Sequence, residues 1–299
     1  MQKYCYTFRA MASDCVIELY ARSPTLANAA AKAAIEEVAR VEMKYSRYRA
    51  GSMVWIINAA AGVAPVDIDA ETSHLLDYAS VCFEQSGGLF DITSGILRRA
   101  WDFKADRPPA RDVIERLLPL IAWPRVERTK NQVFLPQAGM EIDFGGFGKE
   151  YAVDRAAAVL LSFGLRHAFV NLGGDVTVTG PRADRAPWQL GIRHPRDPDG
   201  VVARLPIASG GVATSGDYER FLDCNGRRYS HIFNPHTGES VDGWQSVTAL
   251  APSCLVAGSI STIAMLKCAT HAATWLARSG APYFAVDASG RVVSNLDRG

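Results

Sequence analysis

The first residues of the chain alternate between apolar and polar side chains. The segment 4–21 is rich in Tyr, Val and Ile at alternating positions, a pattern typical of half-buried strands. The spacing then changes, because apolar residues recur every three or four positions between Ala34 and Tyr45. The pattern predicts two strands or one long hairpin, followed by a helix that Ser23 caps, that Pro24 opens and that runs to about Tyr45.

Helical and strand patterns are interspersed along the rest of the chain. Helices are predicted at 72–85, at 111–118, from Gly148 to a stop at Gly164, at 257–268 and at 272–278. Strands are predicted at 140–144, 168–172, 176–179, 203–208, 227–233 and 246–251, with a last hairpin around the turn 287–290. Because hairpins outnumber βαβ units, the pattern favours an α+β fold with mixed or antiparallel sheets and flanking helices. No break in composition divides the chain, so residues 1–299 are predicted to form one domain.

Composition and charge narrow the range of partners. The 299 residues carry 32 Lys and Arg against 31 Asp and Glu, a formal net charge of +1. Nucleic acids and anionic membranes usually select a basic excess, so neither is expected as a partner. No apolar run approaches the roughly 18–20 residues that span a bilayer, and the first residues lack the apolar core of a signal peptide. With six scattered cysteines and no C-x-x-C pair, these features predict a cytoplasmic protein with reduced thiols.

Four loops rich in glycine and small polar residues follow predicted strands. The first, Ile142–Glu150, contains Gly145, Gly146 and Gly148, which let a ligand approach the backbone. It opens a predicted helix, whose N-terminal amides suit an anion, and Lys149 adds a positive charge for a phosphate. Glycines at a strand-to-helix turn also serve packing alone, so this loop by itself leaves both interpretations open.

The other three loops are each ambiguous on their own. Asn171–Asp175 contains two adjacent glycines and also fits a plain turn between strands. Ala213–Tyr218 gathers hydroxyl groups beside a carboxylate and an aromatic ring. Tyr229–Gly238 places His231 in a strand just before a turn, where a histidine is more often a hydrogen-bonded structural group than a base.

The four loops together, in their order, resemble the signatures of the FAD:protein FMN transferase family, the ApbE-type flavin transferases. Ile142–Asp154 is similar to I-D-L-G-G-I-A-K-G-Y-A-V-D, Asn171–Asp175 to N-L-G-G-D, Ala213–Arg220 to A-T-S-G-D-Y-E-R and His231–Gly238 to H-I-I-D-P-R-T-G. Earlier segments add 11–13 for M-G-T, 45–48 for L-S-x-Y and 87–93 for G-G-x-F-D-P-T. The resemblance extends from about Tyr6 to Asn295 and implies an ApbE-like (T-fold-like) α+β architecture.

The resemblance also implies a function and a set of site residues. Members of the family bind FAD, use Mg²⁺ to cleave its pyrophosphate, transfer FMN to a Ser or Thr hydroxyl of a target protein and release AMP, which is a form of phosphoryl transfer. By position, the implied catalytic residues are His231, as proton acceptor, and Lys149, facing the pyrophosphate. The residues implied to bind the cofactor are Met11, Tyr48, Asp91, Thr93, Gly145, Gly146, Gly148, Gly173, Gly174, Asp175, Thr214, Ser215, Gly216, Asp217, Tyr218 and His231.

The metal site implied by the resemblance lacks one residue. The family holds its metal with a backbone carbonyl of the glycine loop, here Gly148, and with the Asp and Thr of D-A-L-S-T. The Thr is Thr262, but the Asp position one helical turn earlier is Gly258. Because Mg²⁺ prefers anionic oxygens, the site is expected to be weakened or altered. Glu150, which replaces a family glycine in the opposite loop, is a candidate for the missing charge, and Gly258→Asp is expected to restore it without loss of stability.

Three functions stay open on the sequence. The first is an active FMN transferase with an altered metal site. The second is an FAD-binding protein that has lost transfer, and the third is a pyrophosphatase that splits FAD into FMN and AMP with water as acceptor. The His231 motif and Lys149 favour the transferase, whereas Gly258 favours the other two.

Overall fold

The structure, a computed structural model, describes residues 1–296, which form an α+β fold. The strands of this part of the chain are β1 (Gln2–Ala10), β2 (Ser13–Ala21), β3 (Val66–Asp67), β4 (Glu127–Arg128), β5 (Gln132–Phe134), β6 (Ala168–Leu172), β7 (Asp175–Val178), β8 (Trp188–Arg193), β9 (Val201–Ile207), β10 (Gly210–Gly216), β11 (Phe221–Cys224), β12 (Arg227–Ser230), β13 (Trp244–Ala251), β14 (Tyr283–Asp287) and β15 (Val292–Ser294). The α-helices are α1 (Pro24–Tyr45), α2 (Met53–Ala59), α3 (Ala70–Ser86), α4 (Arg111–Leu117), α5 (Gly148–Ser162), α6 (Cys254–Leu266) and α7 (Ala269–Ser279).

An eight-stranded sheet forms the centre of the fold, in the order β1-β2-β6-β7-β10-β13-β14-β15. Each of these strand pairs is antiparallel. Alternate residues of a strand point to opposite faces, and β6 shows the result. Its Val170 and Leu172 belong to the core beneath α1 and α5, whereas Phe169 packs against Trp188 of the β8–β9 hairpin. The sheet is therefore buried on both faces, by helices on one and by the β8–β9 hairpin on the other.

The first long helix begins and ends as its sequence predicts, and the second ends at the predicted glycines but begins two residues before the predicted start at 72. Ser23 caps α1 by accepting the amide hydrogen of Leu26, and Pro24 stands at its first position. Asp69 caps α3 in the same way through the amide of Thr72, and α3 ends at Gly87, whose φ of 72° is left-handed. These local signals fix the bounds of both helices before any packing is considered.

The contact between α5 and α6 ties the helices to the sheet. The Asp154 carboxylate of α5 accepts hydrogen bonds from the backbone N–H groups of Cys254 and Leu255, both at 2.9 Å, and from the Thr177 hydroxyl at 2.6 Å. It thus caps α6 from a neighbouring helix, a favourable place for a negative charge. A Cβ on Gly211 of β10 would lie only 2.1 Å from the Cys254 nitrogen, so glycine is required where α6 begins.

Most of the predicted elements are confirmed, with small shifts in their bounds. The opening hairpin, α1, α5, β6, the helices of the C-terminal third and the last hairpin all form. The strand predicted at 227–233 is shorter, since β12 ends at Ser230. Helix α2, the short sheet β3-β5-β4, and the strands β8 and β11 were not predicted.

Two predictions about local structure are wrong. The segment 140–144 is not a strand, because its backbone is satisfied elsewhere: Ile142 bonds through its N–H and C=O to the Asn58 side chain, and the Asp143 N–H donates to the Ile92 carbonyl. The segment 213–216, interpreted as a loop, lies in β10, which pairs with β7 and β13 in the middle of the sheet.

Neither a membrane span nor a disulfide is found in residues 1–296. Within that range, no helix has both the length and the apolar content that crossing a bilayer requires. All six cysteines are free thiols, and Cys15, Cys82 and Cys254 are buried.

We expect Asp154→Ala to lower the free energy of unfolding by about 2 kcal/mol, because it leaves the amides of Cys254 and Leu255 without their acceptor, whereas the Ser253 cap accepts only the amide of Val256. Urea denaturation of the parent and the variant measures the change. Asp69→Ala, which removes the cap at the more exposed start of α3 together with an ion pair to Lys44, serves as the comparison and should cost about 1 kcal/mol. An Asp154→Ala variant as stable as the parent would contradict the role given to this contact.

Candidate functional site

A cavity of about 550 Å³ opens where the predicted loops meet, within the size range of ligand sites. Residues from the β1–β2 turn, the start of α5, β10, the segment after β12, and α6 all line it. The predicted site residues that line it are Met11, Tyr48, Asp91, Gly145, Gly146, Gly148, Lys149, Glu150, Asp175, Thr214, Ser215, Gly216, His231 and Thr262. Thr93, Gly173, Gly174, Asp217 and Tyr218 do not line it. The tertiary structure therefore brings most of the predicted site residues together around one cavity.

The turn between β1 and β2 contributes strained backbone to the cavity wall. Met11 and Ala12 have φ values of 51° and 59°, both in the left-handed region. Two-residue hairpin turns need this conformation and usually place Asn and Gly there, whereas other residues incur about 1–2 kcal/mol each. Strain of this kind tends to persist where function requires it, which agrees with the position of the turn at the cavity.

The glycine loop before α5 lies on a layer of aromatic rings. A Cβ on Gly146 would lie 2.9 Å from the edge of the Phe90 ring, so Gly146 is needed for packing as well as for access. The N–H groups of Phe147 and Gly148 donate to the Phe144 carbonyl, and that of Gly145 donates to Asp143. Several amides of the loop are thus already used, and side chains must supply much of the positive charge for an anion.

Arginines that the sequence analysis missed supply that charge. Arg47, Arg98 and Arg220 line the cavity. Asp143 lies 3.3 Å from a guanidinium nitrogen of both Arg47 and Arg98, and Arg98 also donates to the Tyr48 hydroxyl at 3.2 Å. Arg47 lies in the segment 45–48, which resembles the L-S-x-Y signature, so its position in the sequence could have indicated that it lies at the site. Arg98 lies in the 3₁₀ helix Ile92–Arg99, which no sequence pattern indicated.

Lys149 is fixed at the cavity by the loop between β6 and β7. Its Nζ lies 2.8 Å from Asp175 Oδ2 and donates to the Gly173 carbonyl at 3.4 Å. Burial disfavours the lysine charge, but the carboxylates of Asp175 and Glu150 outweigh this effect and raise the pKa of Lys149. Lys149 is therefore a positioned cation, and the turn at Gly173 and Gly174 helps to hold its ammonium group in place through the Gly173 carbonyl.

His231 is neutral at physiological pH. Burial, followed by the positive charges of Arg98 and Arg220, lowers its pKa to about 4. Its Nδ1 is buried without a hydrogen-bond partner among the described residues, and its backbone N–H donates to the Arg220 carbonyl. The neutral imidazole has a free lone pair for a proton, although the cations that lower its pKa also make it a weaker base.

Four of the predicted cofactor-binding residues form local structural contacts. The Asp91 carboxylate accepts from the Thr93 N–H and hydroxyl, at 2.7 and 2.6 Å, and caps the 3₁₀ helix. Thr93 is fully buried. Asp217 is held by both terminal nitrogens of Arg196, at 2.7 and 2.6 Å, and the Tyr218 ring covers Gly216.

Hydroxyl groups and one carboxylate meet on the α6 side of the cavity. Ser215 Oγ lies 2.9 Å from both Ser261 Oγ and Thr262 Oγ1. Glu150, in the first turn of α5, is buried, and burial followed by repulsion from Asp175 raises its pKa to about 8. Its Oε2 has no hydrogen-bond partner within residues 1–296. Gly258 faces this side chain rather than open space.

Comparison with known proteins gives consistent matches. The model of the ApbE family matches residues 11–285. The FAD:protein FMN transferase of Treponema pallidum (strain Nichols) is 32% identical over 85% of this chain and 78% of that protein, and that of Klebsiella pneumoniae (strain 342) is 31% identical over 84% and 78%. The crystal structure of the ApbE protein of Thermotoga maritima superimposes with a TM-score of 0.90, at 32% identity over 98% of this chain and 97% of that chain. The flavin transferase ApbE of Vibrio cholerae shares the fold, with a TM-score of 0.86 at 22% identity over 98% of this chain and 97% of that chain.

The low pKa of His231 predicts a pH dependence of stability. The unfolded chain protonates this histidine near pH 6.5, whereas the folded protein does so only near pH 4. Because the unfolded state binds more protons between these values, His231 makes the free energy of unfolding fall as the pH drops from 6.5 to 4. We expect His231→Gln to lose less stability over that range than the parent.

Chemical denaturation of both proteins at pH 7 and pH 4.5 measures this difference. His236→Gln, which removes an exposed histidine of the same segment, is the control and should follow the parent. Equal losses for His231→Gln and the parent would show that the imidazole is not held neutral.

Proposed function

Because the chain belongs to the ApbE family, we propose that it is an FAD:protein FMN transferase, which moves FMN from FAD to a Ser or Thr hydroxyl of an acceptor protein and releases AMP. The observation that carries the proposal is the composition of the cavity. It combines a neutral imidazole at His231 with the positive charges of Lys149 and Arg98 around one space. A base beside cations is the arrangement that transfer of a phosphoryl-type group from a diphosphate requires.

The side chains of the cavity have separate parts in the proposed reaction. The acceptor hydroxyl oxygen forms a bond to the phosphorus of the FMN half, and the bond from that phosphorus to the bridging oxygen breaks. AMP leaves with the bridging oxygen and its electron pair, and His231 takes the hydroxyl proton. Lys149 and Arg98 stabilise the negative charge of the pyrophosphate oxygens as it is redistributed, because both are already held in place by Asp175 and Asp143.

Mg²⁺ is part of the proposed chemistry, and when bound it would neutralise phosphate charge. The Thr262 hydroxyl and the Gly148 carbonyl are the oxygens proposed to hold it, and both residues line the cavity. Both donors are neutral, although hard cations prefer anionic oxygens. No group of three or more His, Cys, Asp or Glu side chains suited to a metal occurs in the described residues. The Thr262 hydroxyl and the Gly148 carbonyl therefore suit a cation such as Mg²⁺ only if a carboxylate also binds it.

One observation favours a second candidate. The resemblance implies an aspartate where this chain has Gly258, and its absence would weaken the metal site needed for transfer. The same cavity would then serve either a protein that binds FAD without transfer or one that hydrolyses FAD to FMN and AMP. Incubation with FAD, Mg²⁺ and an acceptor peptide distinguishes these functions. Flavinylated peptide with AMP supports the transferase, free FMN with AMP supports the pyrophosphatase, and unchanged FAD supports the binding protein.

We expect the protein to bind FAD more tightly than FMN. Thr214–Gly216 line the same cavity as Gly145, Gly146, Gly148 and Lys149, and FMN lacks the second phosphate and the adenosine that the cations and the remaining wall would contact. Isothermal titration calorimetry with FAD, FMN and AMP measures the three affinities. Equal or tighter binding of FMN would contradict the proposed substrate.

We expect His231→Ala to bind FAD nearly as the parent does but to lose transfer by about 10²–10⁴-fold, the usual contribution of a positioned base. A rapid-quench assay of AMP release, with FAD binding measured on the same samples, gives both quantities. His236→Ala removes an exposed histidine that does not line the cavity and should retain the parent rate. Transfer by His231→Ala at the parent rate would exclude His231 as the base.

A further inference from the structure

The Glu150 side chain is buried without the partners that a buried carboxylate needs. Only 8% of the residue is exposed, and Oε2 is fully enclosed with no hydrogen-bond partner within residues 1–296. An unpaired buried carboxylate is costly. Its neighbour Lys149 is already paired with Asp175. The fold therefore holds a carboxyl oxygen at the cavity wall that no group within residues 1–296 satisfies.

The same side chain fills the space that a residue at position 258 would use. A Cβ built on Gly258 would lie 2.6 Å from Glu150 Cγ, 2.7 Å from Oε1 and 2.9 Å from Cδ. Distances under 3.0 Å exclude both groups together unless one moves. The carboxyl group of Glu150 thus occupies the position of a short side chain on α6 at residue 258, although it comes from α5.

Residue 258 and Thr262 are one helical turn apart and lie on the same face of α6. The Ser261 hydroxyl donates to the Gly258 carbonyl at 3.0 Å, and Thr262 and Ser215 are in contact at 2.9 Å. Gly148, whose carbonyl is the other proposed ligand, precedes Glu150 by two residues at the start of α5. The Glu150 side chain therefore lies against residue 258, one turn from Thr262, and Gly148, Glu150 and Thr262 all line the same cavity.

We propose that Glu150 supplies the anionic metal ligand that Gly258 lacks, so that the carboxylate has been exchanged between two facing helices. The site is thereby complete for a divalent, oxygen-preferring cation. The inference rests on the proposed function for the identity of the bound group. Because the Glu150 side chain occupies the space beside residue 258, Gly258→Asp requires that side chain to move.

Binding of Mn²⁺ to the protein alone tests the proposal without any turnover. It is measured by electron paramagnetic resonance, which reports the concentration of the free ion. The parent should bind Mn²⁺, and Glu150→Gln, which keeps the shape and removes the charge, should bind it at least about tenfold more weakly. Glu219→Gln is the matched control, because Glu219 is an exposed carboxylate that lines the same cavity, and it should bind as the parent does. A parent without Mn²⁺ binding, or equal affinities for the parent and Glu150→Gln, would overturn the proposal.

Exchange of the two residues gives a second, sharper test. Glu150→Gly should lose Mn²⁺ affinity as Glu150→Gln does. Gly258→Asp alone should melt at a lower temperature than the parent and gain no affinity, because its side chain collides with Glu150. The double variant Glu150→Gly with Gly258→Asp should relieve the collision and recover most of the parent affinity. A folded double variant that binds no better than Glu150→Gly overturns the exchange. If it does not fold, Glu150→Gln decides alone.

Failure of the inference is separable from failure of the proposed function. FMN transfer is assayed on the same preparations. Mn²⁺ binding that depends on Glu150, in a parent that transfers no FMN, supports the ligand assignment and rejects the transferase. Full FMN transfer by a protein whose Mn²⁺ affinity is unchanged in Glu150→Gln supports the transferase and overturns the assignment.

Discussion

The close approach of α5 to α6 is the constraint on which the rest of the site depends. Asp154 caps the first turn of α6, and Gly211 lets that turn lie directly on β10. One turn earlier on α5 and one turn later on α6, Glu150 meets Gly258. Two such contacts fix both the distance and the rotation of the helix pair. The loop before α5 and the hydroxyl groups of α6 consequently face the same cavity.

The charges of the cavity are held in place before any ligand arrives. Lys149 is paired with Asp175, and Arg98 with Asp143, so none of these groups must be ordered at the moment of reaction. Burial, and after it the positive charges of Arg98 and Arg220, keeps His231 neutral. Positioned cations and a neutral base are therefore two consequences of one arrangement. Electrostatic preorganisation of this kind is usually the largest contribution to catalysis.

The residues that match the family's signatures serve architecture as well as chemistry. Asp91 and Thr93 bond to each other, and Asp217 forms a bidentate ion pair with Arg196. Gly173 provides the carbonyl that receives Lys149. A signature thus marks the vicinity of a site, but contact with the ligand space has to be established residue by residue. Gly258 illustrates the converse, since a residue without a side chain on one helix lies against a carboxyl group from the other.

The sequence by itself determined the elements whose signals are local. The hairpin 2–21, helix α1 with its Ser23 cap, and β6 follow from spacing and capping within the segments themselves, and the order of the loop motifs indicated the family. Tertiary structure alone decided what depends on distant neighbours. Ile142 bonds to the Asn58 side chain instead of to a strand, 213–216 becomes a central strand between β7 and β13, and Glu150 occupies the space beside Gly258. Residues 108 positions apart leave no mark in local periodicity, because only the packing of α5 on α6 brings them into contact.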